Sequence, residues 1–174
     1  VLLGIVGLPV PMTWIYWNFA HTLVGAVVAA VVMLVLGFLL SAVGGYLVGL
    51  VGGSNQPVSG LTLSALILAA LLMVAFGVTG LQGVGAVLGV SAVVCCAICV
   101  SGSLIQDLKV GHLLGGTPKK MEIAEIIATI TTAFVLVFPM LWLHQANIKQ
   151  GGIGIGDRAL SAPQAGLMAQ LAQG

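Results

Sequence analysis

The chain has 174 residues, of which 60% are apolar and only 5% carry a charge, with a formal net charge of +1. An ordinary soluble domain is roughly 25% charged and must coat its surface with polar groups. Here no Asp, Glu, Lys or Arg occurs before Asp107, and six of the nine charges fall between Asp107 and Glu125. Such a chain excludes a soluble globular domain, and the absence of a basic stripe argues against a nucleic-acid partner. A lipid bilayer is the solvent this composition fits.

In chain order, the first 20 residues are apolar but broken by Pro9 and Pro11. Trp14, Tyr16 and Trp17 cluster there as interfacial aromatics do. The first span is read at 23–51; its 29 residues would rise ~43 Å, more than a ~30 Å hydrocarbon core. Along it small residues recur every fourth position: Gly37, Ser41, Gly45, Gly49 and Gly53. That stripe reads as a helix-packing surface, because it lets a second backbone approach where lipid gives no hydrophobic drive between helices.

The pattern breaks over 52–60, Gly-Gly-Ser-Asn-Gln-Pro-Val-Ser-Gly. Pro57 has no N–H and biases Gln56 away from helix, while the glycines admit positive φ. Two readings stand: an ordinary turn at the membrane interface, or a broken or re-entrant segment of the kind transporters use for binding sites. Spans at 61–78 and 84–100 follow, with a tight uncharged turn from Thr79 to Gly83 between them. Cys95, Cys96 and Cys99 lie in the second of these spans. They lack the further ligand that zinc requires and read as small packing residues, so no metal site and no cofactor is expected. Gly83-x-Gly85 follows no strand and is not a dinucleotide fingerprint.

Residues 101–120, SGSLIQDLKVGHLLGGTPKK, read as the long polar connection of the chain. Asp107 there is either a coupling-proton or substrate-cation site, or the partner of Lys109 or a later lysine. His112 reads as a solvated loop histidine. Thr117 and Pro118 are placed as N-cap and first residue of a helix spanning 121–143, opened by Glu122 and Glu125. Trp142 and His144 mark its far end, a Gly-rich loop covers 145–161, and another helix begins near Ala162. Lys109, Lys119 and Lys120 share one connection, which the positive-inside rule places in the cytoplasm; Lys149 and Arg158 then fall on the other side. No Ser/His/Asp or Cys/His arrangement suggests a catalytic residue, and the chain is not read as an enzyme.

Three segments together resemble one family. GGSNQPVSGLTL looks like the Asn-Pro-x-Ser-Gly signature of the oligopeptide transporter (OPT) superfamily, with Gln56 where a second Asn is frequent. SGSLIQDLKVGHLLGGTPKK resembles the family's Gln-Asp-Leu-Lys-x-Gly stretch, although Ser103-Leu104-Ile105 replaces its usual Asp-Met-Met. LSAPQAGLMAQL is similar to an Ala-Pro-Gln segment of bacterial members. The resemblance implies an all-α, polytopic transmembrane helical bundle, of which this chain is one part. It implies a symporter of the bacterial inner membrane, driven by protons and carrying oligopeptides or peptide-like metal chelates. It favours Asn55, Pro57, Ser59, Gly60, Gln106, Asp107, Lys109 and Gly111 as substrate or coupling-ion positions. A passive channel and an intramembrane metalloenzyme using the cysteines are the alternative functions. The spans' lack of ionisable residues disfavours a charged filter, and neither alternative accounts for the three motifs.

Overall fold

Most of the chain is helical, as its long apolar runs dictate. The computed structural model describes residues 13, 14, 17, 23–78 and 80–173; Pro9, Pro11, Tyr16 and Thr79 lie outside them. Trp14 and Trp17 are exposed. The ordered elements are α1 (Leu23–Val51), a short 3-10 turn (Gly53–Asn55), α2 (Val58–Ala75), α3 (Gly80–Leu113), α4 (Pro118–Lys149) and α5 (Pro163–Gln173). Among the described residues there is no strand. Among the described residues four helices, α1 to α4, are long and apolar enough to cross a membrane.

Helix ends differ from the polarity boundaries, and the reason is local. Three helices stop at a glycine with positive φ: Gly77 after α2, Gly115 after α3 and Gly151 after α4. In each, the amide beyond the glycine reaches back to the carbonyl five residues earlier. The pairs are Val78 to Met73 (2.9 Å), Gly116 to Gly111 (2.6 Å) and Gly152 to Asn147 (3.0 Å). The glycine's own N–H meets the carbonyl three residues back in all three. This is the Schellman closure, which satisfies the last carbonyls of a helix.

The polar segment from Ser101 is therefore not a connection. It continues α3 to Leu113, and the link to α4 is only Leu114–Thr117. Thr117 does occupy the N-cap with Pro118 behind it, but its hydroxyl makes no capping bond. Because α4 starts at Pro118, Glu122 and Glu125 fall beyond its first turn. Likewise α2 starts at Val58, and α3 restarts at Gly80, immediately after the turn that closes α2.

Contacts divide the chain into two compact units, Val1–Gln106 with Met168–Gly174, and Asp107–Leu167. The first has a core dominated by alanines and β-branched side chains, with a few larger ones: Ala26, Ala29, Ala30 and Met33 of α1, Ala65, Leu66, Ala69 and Met73 of α2, and Ala86, Val87, Val90, Val94 and Ile98 of α3. Alanines at these positions bring the helix backbones close, which is how helices associate when lipid surrounds them. Thr62 and Ser91 are buried there without cost, since their hydroxyls bond back to Val58 and Leu88 carbonyls. In the second unit α4 buries a single residue, Asn147. Its apolar side chains, Phe134, Phe138 and Trp142 among them, stand exposed all round.

Candidate functional site

Chain chemistry shapes the break between α1 and α2 residue by residue. Gly52 adopts φ 85° and ψ 160°, a conformation open essentially to glycine alone. The 3-10 turn follows, with Gln56 N–H donating to Gly53 O at 3.2 Å and Asn55 N–H to Gly52 O at 3.3 Å. The Asn55 side chain donates to Val51 O at 3.4 Å, partly satisfying the end of α1. Pro57, at φ −81° and ψ 56°, sits at the centre of an inverse γ-turn. Val58 N–H closes that turn on Gln56 O at 2.9 Å. Ser59 and Gly60, in the first turn of α2, are exposed, and a β-carbon at Gly60 would meet nothing within 4 Å.

Two glutamines attach this break to α3. Gln56 Nε2 donates to the Ile98 carbonyl at 2.8 Å. Its carboxamide lies between two glycines: a β-carbon at Gly102 would come within 2.5 Å of Oε1, and one at Gly44 within 3.3 Å of Nε2. The Gln106 carboxamide covers Gly53, 2.7 Å from where a β-carbon would stand. Below the break, the small-residue stripe of α1 runs along α3. Ser101 Oγ donates to Ser41 O at 2.8 Å, and a β-carbon at Gly45 would fall 2.5 Å from Ser101 Oγ. At Gly37 and Gly49 the nearest α3 atoms, on Val94 and Ile105, are 4.0 and 3.9 Å from that position.

The other expected residues lie in the second unit. Gly111 gives the closest approach in the α3–α4 hairpin, where Met121 of α4 packs against it through sulfur and terminal methyl. Above that contact the Asp107 and Glu125 carboxyls are hydrogen-bonded to each other. Lys109 is exposed, and among the described residues no lysine pairs with Asp107. A carboxylate can only accept, so a carboxyl–carboxyl bond exists only while one of the two carries a proton. Glu125 also belongs to a stripe. Glu122, Glu125, Thr129 and Thr132 recur at helical spacing along one face of α4, and both threonines are exposed.

The sequence offered Asn55 to Gly60 and Gln106 as separate candidates; in the structure Gln106 lies over Gly53, at the start of the break. Sequence reasoning missed Gln56, seen only as a departure from a motif, and Glu125, read as a helix-terminal acid. Glu125 lies 18 residues from Asp107, too far for any local spacing rule. Cys95, Cys96 and Cys99 are free thiols on α3. Among the described residues no three His, Cys, Asp or Glu side chains gather as a metal site would need. A hollow of about 950 Å³ between α2, the start of α3 and the end of α5 is walled by Ile67, Leu71, Met73, Leu81, Leu171 and similar apolar residues.

Long apolar helices, small-residue packing and an interrupted segment tied to a neighbouring helix define a polytopic α-helical integral membrane protein. The OPT oligopeptide transporter protein family model matches residues 1–174. A Haemophilus influenzae protein named "Putative oligopeptide transporter" is 34% identical over 161 residues, which cover 85% of this chain and 25% of that protein. The chain belongs to the OPT oligopeptide transporter family, and spans about a quarter of the length of that relative. No solved structure matches it.

Proposed function

We propose that this chain contributes four spans to a proton-coupled symporter of oligopeptides or peptide-like metal chelates, working by alternating access in a bacterial inner membrane. Family membership supports transport of oligopeptides. The proton enters the argument through one observation, the hydrogen bond between Asp107 and Glu125. The two acids come from different helices of one hairpin, α3 and α4. While the helices hold this spacing, a proton shared between the two carboxyls bridges α3 and α4; when they separate, that bridge is lost. A conformational change that parts α3 from α4 would thereby release a proton, which is what coupling requires. The polar stripe of α4 supports the same reading, since hydroxyls and carboxyls on a spanning helix face protein or water rather than lipid.

The test uses the full-length transporter in proteoliposomes. Asp107→Asn keeps shape and hydrogen bonding but cannot titrate. It should abolish peptide accumulation driven by a pH gradient and leave counterflow exchange, which moves no net proton, largely intact. Glu125→Gln should reproduce the same split. Full pH-driven accumulation by both variants at wild-type expression would remove the pair from the mechanism. Equal loss of exchange and accumulation would make it a fixing contact of the hairpin.

A further inference from the structure

We infer that Gln56 is a positioning residue of the transport cycle, a latch whose carboxamide holds the Asn55–Gly60 break against α3. The seat is specific. Its donor bond runs to Ile98 O at 2.8 Å, across 42 residues of sequence, to a carbonyl in the interior of α3. The carboxamide uses the room two glycines leave: a β-carbon at Gly102 on α3 would overlap it, and one at Gly44 on α1 would press on it. One side chain is thus clamped by two helices while belonging to neither. On the far side of the 3-10 turn, Gln106 of α3 lies over Gly53.

The segment between these two contacts is held little by anything else. Its internal bonds are a 3-10 turn with amide–carbonyl distances of 3.2 and 3.3 Å and a three-residue γ-turn. Asn55 and Ser59 are exposed. Gly52 and the prolyl turn at either end supply swivel points with unusual backbone angles. A segment with hinges at both ends and one long-range donor bond has two arrangements available, seated and released. Release exposes the Ile98 carbonyl to whatever fills the space, without breaking α3, since that carbonyl belongs to a continuous helix. Gln56 therefore sets how Asn55 and Ser59, the exposed polar side chains of the break, are presented.

The latch can be disabled from either side. Gln56→Ala removes the donor. Gly102→Ala evicts the carboxamide, and only the far end of a flexible side chain has to move. Full-length transporter with Cys95, Cys96 and Cys99 replaced and Val58→Cys added, at a position half-buried against the core, would be reconstituted in liposomes and treated with a maleimide. Both latch variants should label at Val58→Cys roughly fivefold faster than the parent, the factor a single net hydrogen bond is worth. The double variant should label no faster than either single one, because each removes the same contact. A cysteine at Arg158 should label at an unchanged rate.

Gln56→Met separates a latch from a filler. It occupies the seat without a donor and should label as fast as Gln56→Ala. Unchanged labelling in Gln56→Ala, or slow labelling restored by Gln56→Met, overturns the inference. These readouts involve no proton movement, so they stand apart from the outcome at Asp107.

Discussion

Asn147 illustrates how one amide fixes a loop that composition leaves undefined. Its backbone carbonyl takes part in the helix closure, accepting from Gly152 N–H at 3.0 Å, while its side-chain Oδ1 accepts from Gly154 N–H at 2.9 Å. One turn earlier, His144 Nδ1 accepts from Ile155 N–H at 3.2 Å, so the ring carries any neutral-form proton on Nε2. The stretch read as a Gly-rich loop is thus folded back on the end of α4, and it begins only at Gln150. Nothing in its composition shows this, because the glycines that admit the fold also describe an unstructured linker. Asn147→Ala would leave the buried Gly154 N–H without an acceptor, a loss of about 1–3 kcal/mol. Asn147→Asp keeps the acceptor and should stay near wild type. Limited proteolysis between Gln150 and Ala162 should accelerate in the alanine variant and not in the aspartate one. Equal rates would show that the bond does not hold the loop.

At the scale of the helix, hydropathy and helix length report different things. The C-terminal bound of α1 was legible, because apolar character and helix stop together where Gly52 meets the break. For α3 they diverge. Charge appears at Asp107, yet the helix runs on to Leu113, since Gln106, Asp107 and Lys109 are ordinary helix residues and only Gly115 can close it. Polarity marks where lipid gives way to water; backbone chemistry marks where the helix stops. Pro139 makes the complementary point, lying inside α4 and leaving the Val135 carbonyl without its ladder partner.

The small-residue stripe was legible as a pattern, but its ranking was not. Gly45 faces Ser101 at a distance no β-carbon tolerates, whereas Gly49 has room before Ile105. Gly45→Leu should therefore be the severe lesion, costing about 1–3 kcal/mol or more through overpacking and lowering detergent-stable yield and unfolding temperature. Gly49→Leu should be milder on both measures. The reverse order, or two normal proteins, would show that α1 and α3 do not rely on this approach.

For the whole molecule, orientation in the membrane is the property that folding alone does not set. It rests on where the few charges stand at the ends of long helices. The 32 residues of α4 rise ~48 Å, more than the hydrocarbon core, so its two ends reach opposite surfaces if it spans. Lys119 and Lys120 lie in its first turn and Lys149 in its last. Lys109 stands near the end of α3, one short connection away from the first pair. Three lysines on the hairpin side against Lys149 and the Arg158 that follows it lead us, by the positive-inside rule, to propose a cytoplasmic hairpin. The exposed, apolar circumference of α4 fits this placement, since a helix that buries one residue in 32 needs lipid or other transporter segments around it. In a background lacking Cys95, Cys96 and Cys99, single cysteines at Lys119 and at Lys149 should label from opposite sides of the membrane. A membrane-impermeant maleimide applied to intact cells should reach Lys149→Cys at once and Lys119→Cys only after permeabilisation. Labelling of Lys119→Cys alone in intact cells would invert the orientation and place the Asp107–Glu125 pair at the outer face. Labelling of both from outside would mean that α4 does not cross, and would remove the hairpin from any gate between two compartments.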